Sequence, residues 1–447
     1  MLASAEMALD APPKEVFARR REKALAQLDG AVLFLPGAPE AVYSNDVHYP
    51  YRPDSYVRYL SGFEEPGALL LSRTGDDEDG FTLFVRPRDP AAETWTGVRA
   101  GVEGARSVHH ADFAHPLDDI YTVLEKRLAR AQRLLFGYSR DRAVNEKVLE
   151  IVRRVDKTRQ RGGGAPLVLT EAGALLDEMR LVKSPEEITL LKKACRVSAE
   201  AHCRAMETVL PGQREYEVQA LVEFGFRVGG CTGPAYGTIA AGGVNATVLH
   251  YVENDKKLDD GELLLLDAGG ELGGYCADIT RTMPVGRTYS KAQAAVYDVV
   301  LAAQKAAVAA VRPNVTHEEV HKTALRVLVE GMIDLGLLSG SIDECIDSER
   351  YKSYYMHGTG HWLGMDVHDV GSYRDGESSR SLEPGIVLTV EPGIYVRADA
   401  EAPAELRGLG IRIEDDVLVT EGEPDVLTAG VPKERREIEF LRAKAFA

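Results

Sequence analysis

The stretch GELLLLDAGGELGGYCADITRT, residues 261–282, decides how the rest of the chain is read. Four leucines run directly into Asp267, a glycine-rich turn follows, and Asp278 lies on the returning side. An apolar run broken by glycines reads as a β-hairpin. With the turn at ELGG and Glu271 paired to Gly274, Asp267 and Asp278 face each other directly. Facing β-carbons on paired strands lie roughly 4.5–5.5 Å apart, and like charges there are destabilising. The leucines put Asp267 inside the core, where an uncompensated carboxylate is costly. The hairpin therefore predicts a cation between the two aspartates.

Two further apolar strands deliver acids in the same manner. GIVLTVEPGIY (385–395) ends on Glu391, and GIRIEDDVLVT (410–420) places Arg412 and Glu414 on one face with Ile411 and Ile413 on the other. Added to the aspartate pair, these make a four-carboxylate cluster whose charge matches two divalent cations.

The segment HGTGHWLGMDVHD (357–369) holds three of the chain's eleven histidines. On a helix His357 and His361 would align, but Gly358 and Gly360 each oppose a helix by about 1 kcal/mol relative to alanine. An extended, tightly turning segment is predicted, in which one histidine ligates metal while the others handle protons near a substrate. A competing signal lies in NVTHEEVHKTAL, where His317 and His321 satisfy an HExxH zinc pattern. Thr316 and Glu319 form a capping box, however, and Val320, Leu325, Val327 and Leu328 form an apolar side. These two histidines are therefore read as parts of an ordinary amphipathic helix. There is no GxSxG elbow, and the DAGG glycines lack the Lys-Ser/Thr of a phosphate loop.

Composition narrows the class. The chain has 447 residues, 45% hydrophobic and 28% charged, with 70 acids against 53 bases for a net charge of −17. A core of ample size is available, and the negative balance argues against a nucleic-acid partner. No apolar run approaches the roughly 18 residues of a membrane span, and MLASAEMALDAPPKEVF lacks the basic and apolar regions of a signal peptide. Five scattered cysteines without a CxxC suggest neither a disulfide framework nor a zinc knuckle, so a reducing cytoplasm is expected.

Along the chain, AVLFLPG, GALLLSR, GFTLFVR and RLLFGYS alternate with helical stretches such as PKEVFARRREKALAQL and DDIYTVLEKRLARAQ, predicting an α/β domain. After the RGGGAP loop at 161–166, Ser184, Pro185 and Glu187 start a long helix that Pro211–Gly212 closes, and Ser290 with Gln293 starts a second. Strand-like segments between and after these helices make the remainder α+β. The expected domains are residues 1–178 and 179–447.

Together DAGG, ADITRT, HGTGHWLG, TVEPGIY and GIRIEDD resemble the metal-dependent pita-bread peptidases, metallopeptidase family M24, and among them the Xaa-Pro aminopeptidases (aminopeptidase P). YPYRPDSYVRYLSGFEEPGALLL, ETWTG, RLVKSPEEI, GGVNATVLHYVEND and LTAGVPKE extend the resemblance over roughly residues 14–440, while the GSYRDGESSRSLEPG loop departs from it. The resemblance implies an α/β N-terminal domain followed by an α+β pita-bread domain of pseudo-symmetric halves. It implies five metal ligands: Asp267, Asp278, His361, Glu391 and Glu414, with Asp278 and Glu414 shared by both metals. His250, His357 and His368 would line the substrate pocket, with Tyr395 and Arg412 flanking the ligands. Oxygen-rich ligation with one imidazole puts Mn²⁺ ahead of Zn²⁺ or Co²⁺.

The implied activity is release of the first residue from peptides with proline second. Glu391 would carry the proton, His357 and His368 would stabilise the oxyanion, and His250 would help place the peptide. A proline-containing peptide is the expected partner, and a homodimer or homotetramer the expected assembly, with first-domain residues such as Trp95 reaching a neighbour's pocket. Two alternatives stay open. One is prolidase, restricted to Xaa-Pro dipeptides; the other is a metal-free binding protein that keeps the fold.

Overall fold

The structure, a computed structural model, describes residues 12–138 and 141–447. Residues 1–11, which include most of the stretch read for a signal peptide, and Ser139, the last residue of RLLFGYS, lie outside them. The chain divides into two compact units, with the division between Met179 and Arg180.

The first unit is built on one mixed six-stranded sheet. Its order is Phe113–Pro116, Gly80–Val85, Gly67–Arg73, Ala31–Pro36, Arg133–Phe136, Val168–Glu171. Ala31–Pro36 runs antiparallel to Gly67–Arg73 and parallel to Arg133–Phe136, so helical crossovers are needed on that side. The helices Ile120–Leu128 and Arg142–Arg161 meet the need and bury Leu124, Leu128, Val148 and Ile151 against Val32, Phe34 and Leu134. The α/β reading of this region holds.

In the second unit one element order occurs twice. A pair of packed helices, Pro185–Thr208 and Glu215–Val228, precedes the hairpin of Leu263–Asp267 with Thr280–Pro284; a second pair, Lys291–Ala310 and His317–Asp334, precedes Val387–Val390 with Asp415–Leu418. Three of the helix starts were legible. Ser184/Glu187, Ser290/Gln293 and Thr316/Glu319 each form a capping box in which side chain and backbone bond reciprocally. In the last of these helices Val320, Leu325 and Leu328 are buried as expected, whereas Val327 is half-buried and Val329 takes the inward position.

The hairpin register corrects the sequence reading. Leu272 pairs with Tyr275, Glu271 with Cys276, and Asp267 with Thr280, so Asp267 and Asp278 are not directly opposite. The turn is centred one residue further on, at Gly273 and Gly274, which take φ of 59° and 85°. Two successive left-handed residues form the turn that matches strand twist, and glycine adopts that conformation without steric cost. Asp278 lies two positions from the residue facing Asp267 and thus on the same face, so the carboxylates still converge.

Candidate metal centre and substrate cavity

A cavity of about 540 Å³ opens where the two hairpins meet. Asp267, Asp278, Glu391, Glu414, His361, His357, His368, His250 and Arg412 all line it, so nine of the ten predicted site residues share one space. The tenth, Tyr395, stands directly behind: its hydroxyl is 2.8 Å from His357 Nε2 and accepts from Arg412 at 3.0 Å.

The histidine segment is extended, as its glycines required. It runs beside Val387–Val390, with Thr389 N–H donating to the His361 carbonyl at 2.9 Å and Glu391 N–H to the Thr359 carbonyl at 2.7 Å. A β-carbon on Gly360 would collide with the Thr389 carbonyl oxygen, so only glycine allows this approach. His361 Nδ1 lies 3.0 Å from the Trp362 carbonyl, which fixes a proton there and turns Nε2 toward the carboxylates as the ligand atom. That Nε2 is 3.4 Å from Asp278 and 3.8 Å from Glu391.

The HExxH pair does not reach the cavity. His317 Nε2 is 3.1 Å from the Gly360 carbonyl and His321 Nδ1 is 2.8 Å from Thr359 Oγ1. Both imidazoles brace the histidine segment from its outer side.

The charges in the cavity do not balance within the protein. Arg412 pairs with Asp267 rather than with its strand neighbour Glu414, which instead accepts from Thr280 Oγ1 at 2.6 Å. Burial pushes Glu391 up to about 7, with Asp278 and Asp267 adding to the rise against His361 and Arg412. Burial, then repulsion from Asp278, Glu391 and Asp267, holds the Glu414 carboxyl well above its usual range. Asp267 is raised by burial despite Arg412 beside it. For His361 burial opposes protonation, but the hydrogen bond and charge of Asp278 outweigh it and push the imidazole up to about 9. One ligand atom from each of Asp278, His361 and Glu414 fits within 4.8 Å of the others, a spacing suited to a shared cation.

Sequence reasoning missed Tyr236. Its hydroxyl is 2.6 Å from Asp267 Oδ1 and 2.5 Å from Asp278 Oδ1. One hydroxyl proton cannot serve two carboxylates, so the pair remains short of positive charge. Tyr236 sits in PAYG without periodicity or a motif to mark it. Ile239, Leu249, Val252 and Val367, also unremarked, form the apolar walls.

The three pocket histidines differ in what they have free. His357 directs Nδ1 to the Gly358 carbonyl at 2.7 Å and Nε2 to Tyr395, and burial with the nearby Arg412 charge lowers it to about 4. His250 and His368 are exposed at the cavity wall, and among the described residues neither ring makes a hydrogen bond to protein.

Comparison with known proteins identifies the family and the fold. Residues 189–421 match the sequence model of "Metallopeptidase family M24" and residues 17–136 that of "Aminopeptidase P, N-terminal domain". The chain is 41% identical over 437 residues to Xaa-Pro aminopeptidase of Haemophilus influenzae, covering 96% of this chain and 97% of that one. The structure of Pseudomonas aeruginosa aminopeptidase PepP superposes with a TM-score of 0.94 at 43% identity, over 98% of this chain and 100% of that one. A zinc-substituted Escherichia coli aminopeptidase P in complex with product gives 0.93 at 39% identity, over 97% and 99%. Both domains, the element order and the strands that carry the acids thus place this chain in metallopeptidase family M24, as a pita-bread enzyme with an aminopeptidase P N-terminal domain.

Proposed function

We propose that this protein is a Xaa-Pro aminopeptidase that releases the N-terminal residue from peptides with proline in second position, using two divalent metal ions held by Asp267, Asp278, His361, Glu391 and Glu414. The observation that carries this reading is four carboxylates converging on one cavity opposite a single arginine, with an imidazole Nε2 among them. The donor set fits: three of its residues come within one coordination sphere, and the raised carboxyl groups mark a charge that the protein's own cations leave uncompensated. Asp278 and Glu414, both near His361, are the residues suited to be shared between two ions. Hard oxygen donors with one imidazole favour Mn²⁺, with Zn²⁺ and Co²⁺ as competitors. Such ions, when bound, supply Lewis-acid polarisation of the scissile carbonyl and a lowered pKa for water.

The protein groups divide the remaining work. The Glu391 carboxyl accepts the proton of the attacking water and passes it to the proline nitrogen as that bond breaks. Because an Xaa-Pro bond has no N–H, recognition cannot rest on an amide donor. It rests on the apolar walls around Ile239, Leu249, Val252 and Val367. The sequence reading gave His357 a share of the oxyanion. With both its nitrogens occupied, His357 is better suited to orienting Glu391, whose Oε2 lies 3.8 Å from its Nδ1. The oxyanion then falls to His368 and His250, which line the cavity and, among the described residues, make no hydrogen bond to protein.

The chain Asp267–Arg412–Tyr395–His357 ties one wall of the cavity together through the Arg412 guanidinium. In the first unit Val42, Tyr43, Val47, Tyr49 and Trp95 are more than half exposed, which supports a homodimer or homotetramer. Among the described residues no helix is long and apolar enough to cross a membrane, and all five cysteines are free, which suits a reducing compartment.

The test is hydrolysis of Xaa-Pro against Xaa-Pro-Yaa by protein stripped of metal and reloaded with Mn²⁺. Cleavage of both is expected. Cleavage of the dipeptide alone selects prolidase, and absence of both hydrolysis and stoichiometric metal selects the binding-protein reading.

A further inference from the structure

The helix Pro185–Thr208 turns an unusual face toward the aspartate hairpin. Glu187, Cys195, Ser198 and His202 are spaced by eight, three and four residues, which puts them on one stripe, and all four are buried. A helix stripe packed on a sheet is ordinarily apolar. Here three of the polar groups bond directly to the segment that carries Asp267 and Asp278, and Cys195 reaches it through Asp416. Glu187 Oε1 accepts from the Tyr275 hydroxyl at 2.8 Å, beside the turn. Ser198 Oγ accepts the Gly270 N–H at 3.0 Å, and His202 Nε2 donates to the Ala268 carbonyl, next to Asp267, at 2.9 Å. Cys195 Sγ donates at 3.2 Å to Asp416 Oδ2, and that same oxygen accepts the backbone N–H of Asp278 at 3.0 Å.

We infer that this stripe, acting with Asp416, positions the metal centre: it fixes both ends of the 267–278 segment to one rigid helix and so sets the separation of the two aspartate carboxylates. None of the four stripe side chains lines the cavity, so they are positioning residues rather than catalytic ones. Aspartates two positions off direct pairing need such an external frame, because the strand ladder alone does not bring their side chains face to face. The inference rests on the metal reading proposed above.

The experiment is titration of the metal-free, full-length protein with Mn²⁺ alone, followed by calorimetry and by the electron paramagnetic resonance spectrum of the bound ion. Cys195→Ala and Ser198→Ala are expected to weaken Mn²⁺ binding by about 10- to 100-fold and to alter the spectrum. Cys195→Ser and Ser198→Thr, which keep a polar group in place, should recover most of the affinity. Arg196→Ala, on the exposed side of the same helix, should match wild type. If Ser198→Ala fails to fold, Cys195→Ala carries the test, since a thiol is a weak donor and its loss perturbs packing little. Melting temperatures that fall while Mn²⁺ affinity and spectrum stay at wild-type values overturn the inference, as does equal weakening in the Ala and conservative variants. Wild-type protein that binds no Mn²⁺ overturns the metal reading itself, and the inference with it.

Discussion

Glu414 and Asp415 are adjacent in sequence, both buried, and opposite in electrostatic fate. Burial raises Glu414, and the nearby Asp278, Glu391 and Asp267 raise it further. Burial would raise Asp415 too, but Arg281 and Lys433 outweigh it and hold that carboxyl below its usual value. Asp415 has an arginine at 2.7 Å, a lysine at 2.6 Å, and Gln304 and Thr428 each at 2.8 Å. Successive residues on an extended chain point to opposite faces, so one strand end feeds a saturated ionic core on one side and an unsaturated cavity on the other. Buried acid is thus not in itself a sign of function. What distinguishes a site is buried acid that the protein declines to neutralise. The histidine segment repeats the contrast: Asp369 is closed off by Arg180 and Lys183, while His361, eight positions earlier, turns Nε2 toward Asp278 in the cavity.

The contrast can be tested from both sides. The largest expected effect is from Asp278→Asn, which should lower kcat/KM by more than about a thousandfold, some 4 kcal/mol of transition-state stabilisation. The same change relieves repulsion in metal-free protein, so thermal unfolding without metal should show stability equal to or above wild type. An active variant refutes the shared-ligand assignment. Asp415→Ala should do the reverse. Leaving Arg281 and Lys433 without their partner costs about 3–5 kcal/mol, measurable by urea unfolding, while Mn²⁺ stoichiometry persists. Normal stability in that variant removes the distinction between Glu414 and Asp415.

Buried His202 offers a pH test. Burial lowers its pKa from 6.5 to about 4. Between those values the unfolded chain binds the proton and the folded chain does not, so this term is present above pH 6.5 and is lost as pH falls toward 4. The loss is on the order of 3 kcal/mol, and His202→Gln, which cannot titrate, should lack that part of the slope. Stability curves of equal slope for the two proteins would exclude it.

Metal addition comes next. Mn²⁺ at a hundred times its Kd should stabilise the protein by about 2.7 kcal/mol, an increment that Asp415→Ala keeps and Asp278→Asn loses. Scanning calorimetry with and without chelator reads it, and an unmoved wild-type midpoint argues against a resident ion. Smallest of all, His317→Ala with His321→Ala should cost about 1 kcal/mol for each lost bond and leave bound metal unchanged. Metal lost from a folded double variant would restore the HExxH pair as ligands.

Much of this was legible in the chain itself because it depends on local chemistry. Capping boxes announce helix starts within four residues, a leucine run entering Asp267 declares a buried charge, and Gly358 with Gly360 rules out a helix around His361. Those patterns, with the motif resemblance, yielded both domain classes and nine of the residues that line the cavity. The folded structure decided the rest, in most cases through atoms distant in sequence. The Gly273–Gly274 turn moved the hairpin register, Arg412 chose Asp267 over Glu414, and Tyr236 came between two aspartates from 31 and 42 residues away. Both nitrogens of His357 were taken up by Gly358 and Tyr395. Sequence states which groups carry charge and which must be buried; the partner that neutralises each one is set by where the strands cross, and that is a property of the folded chain.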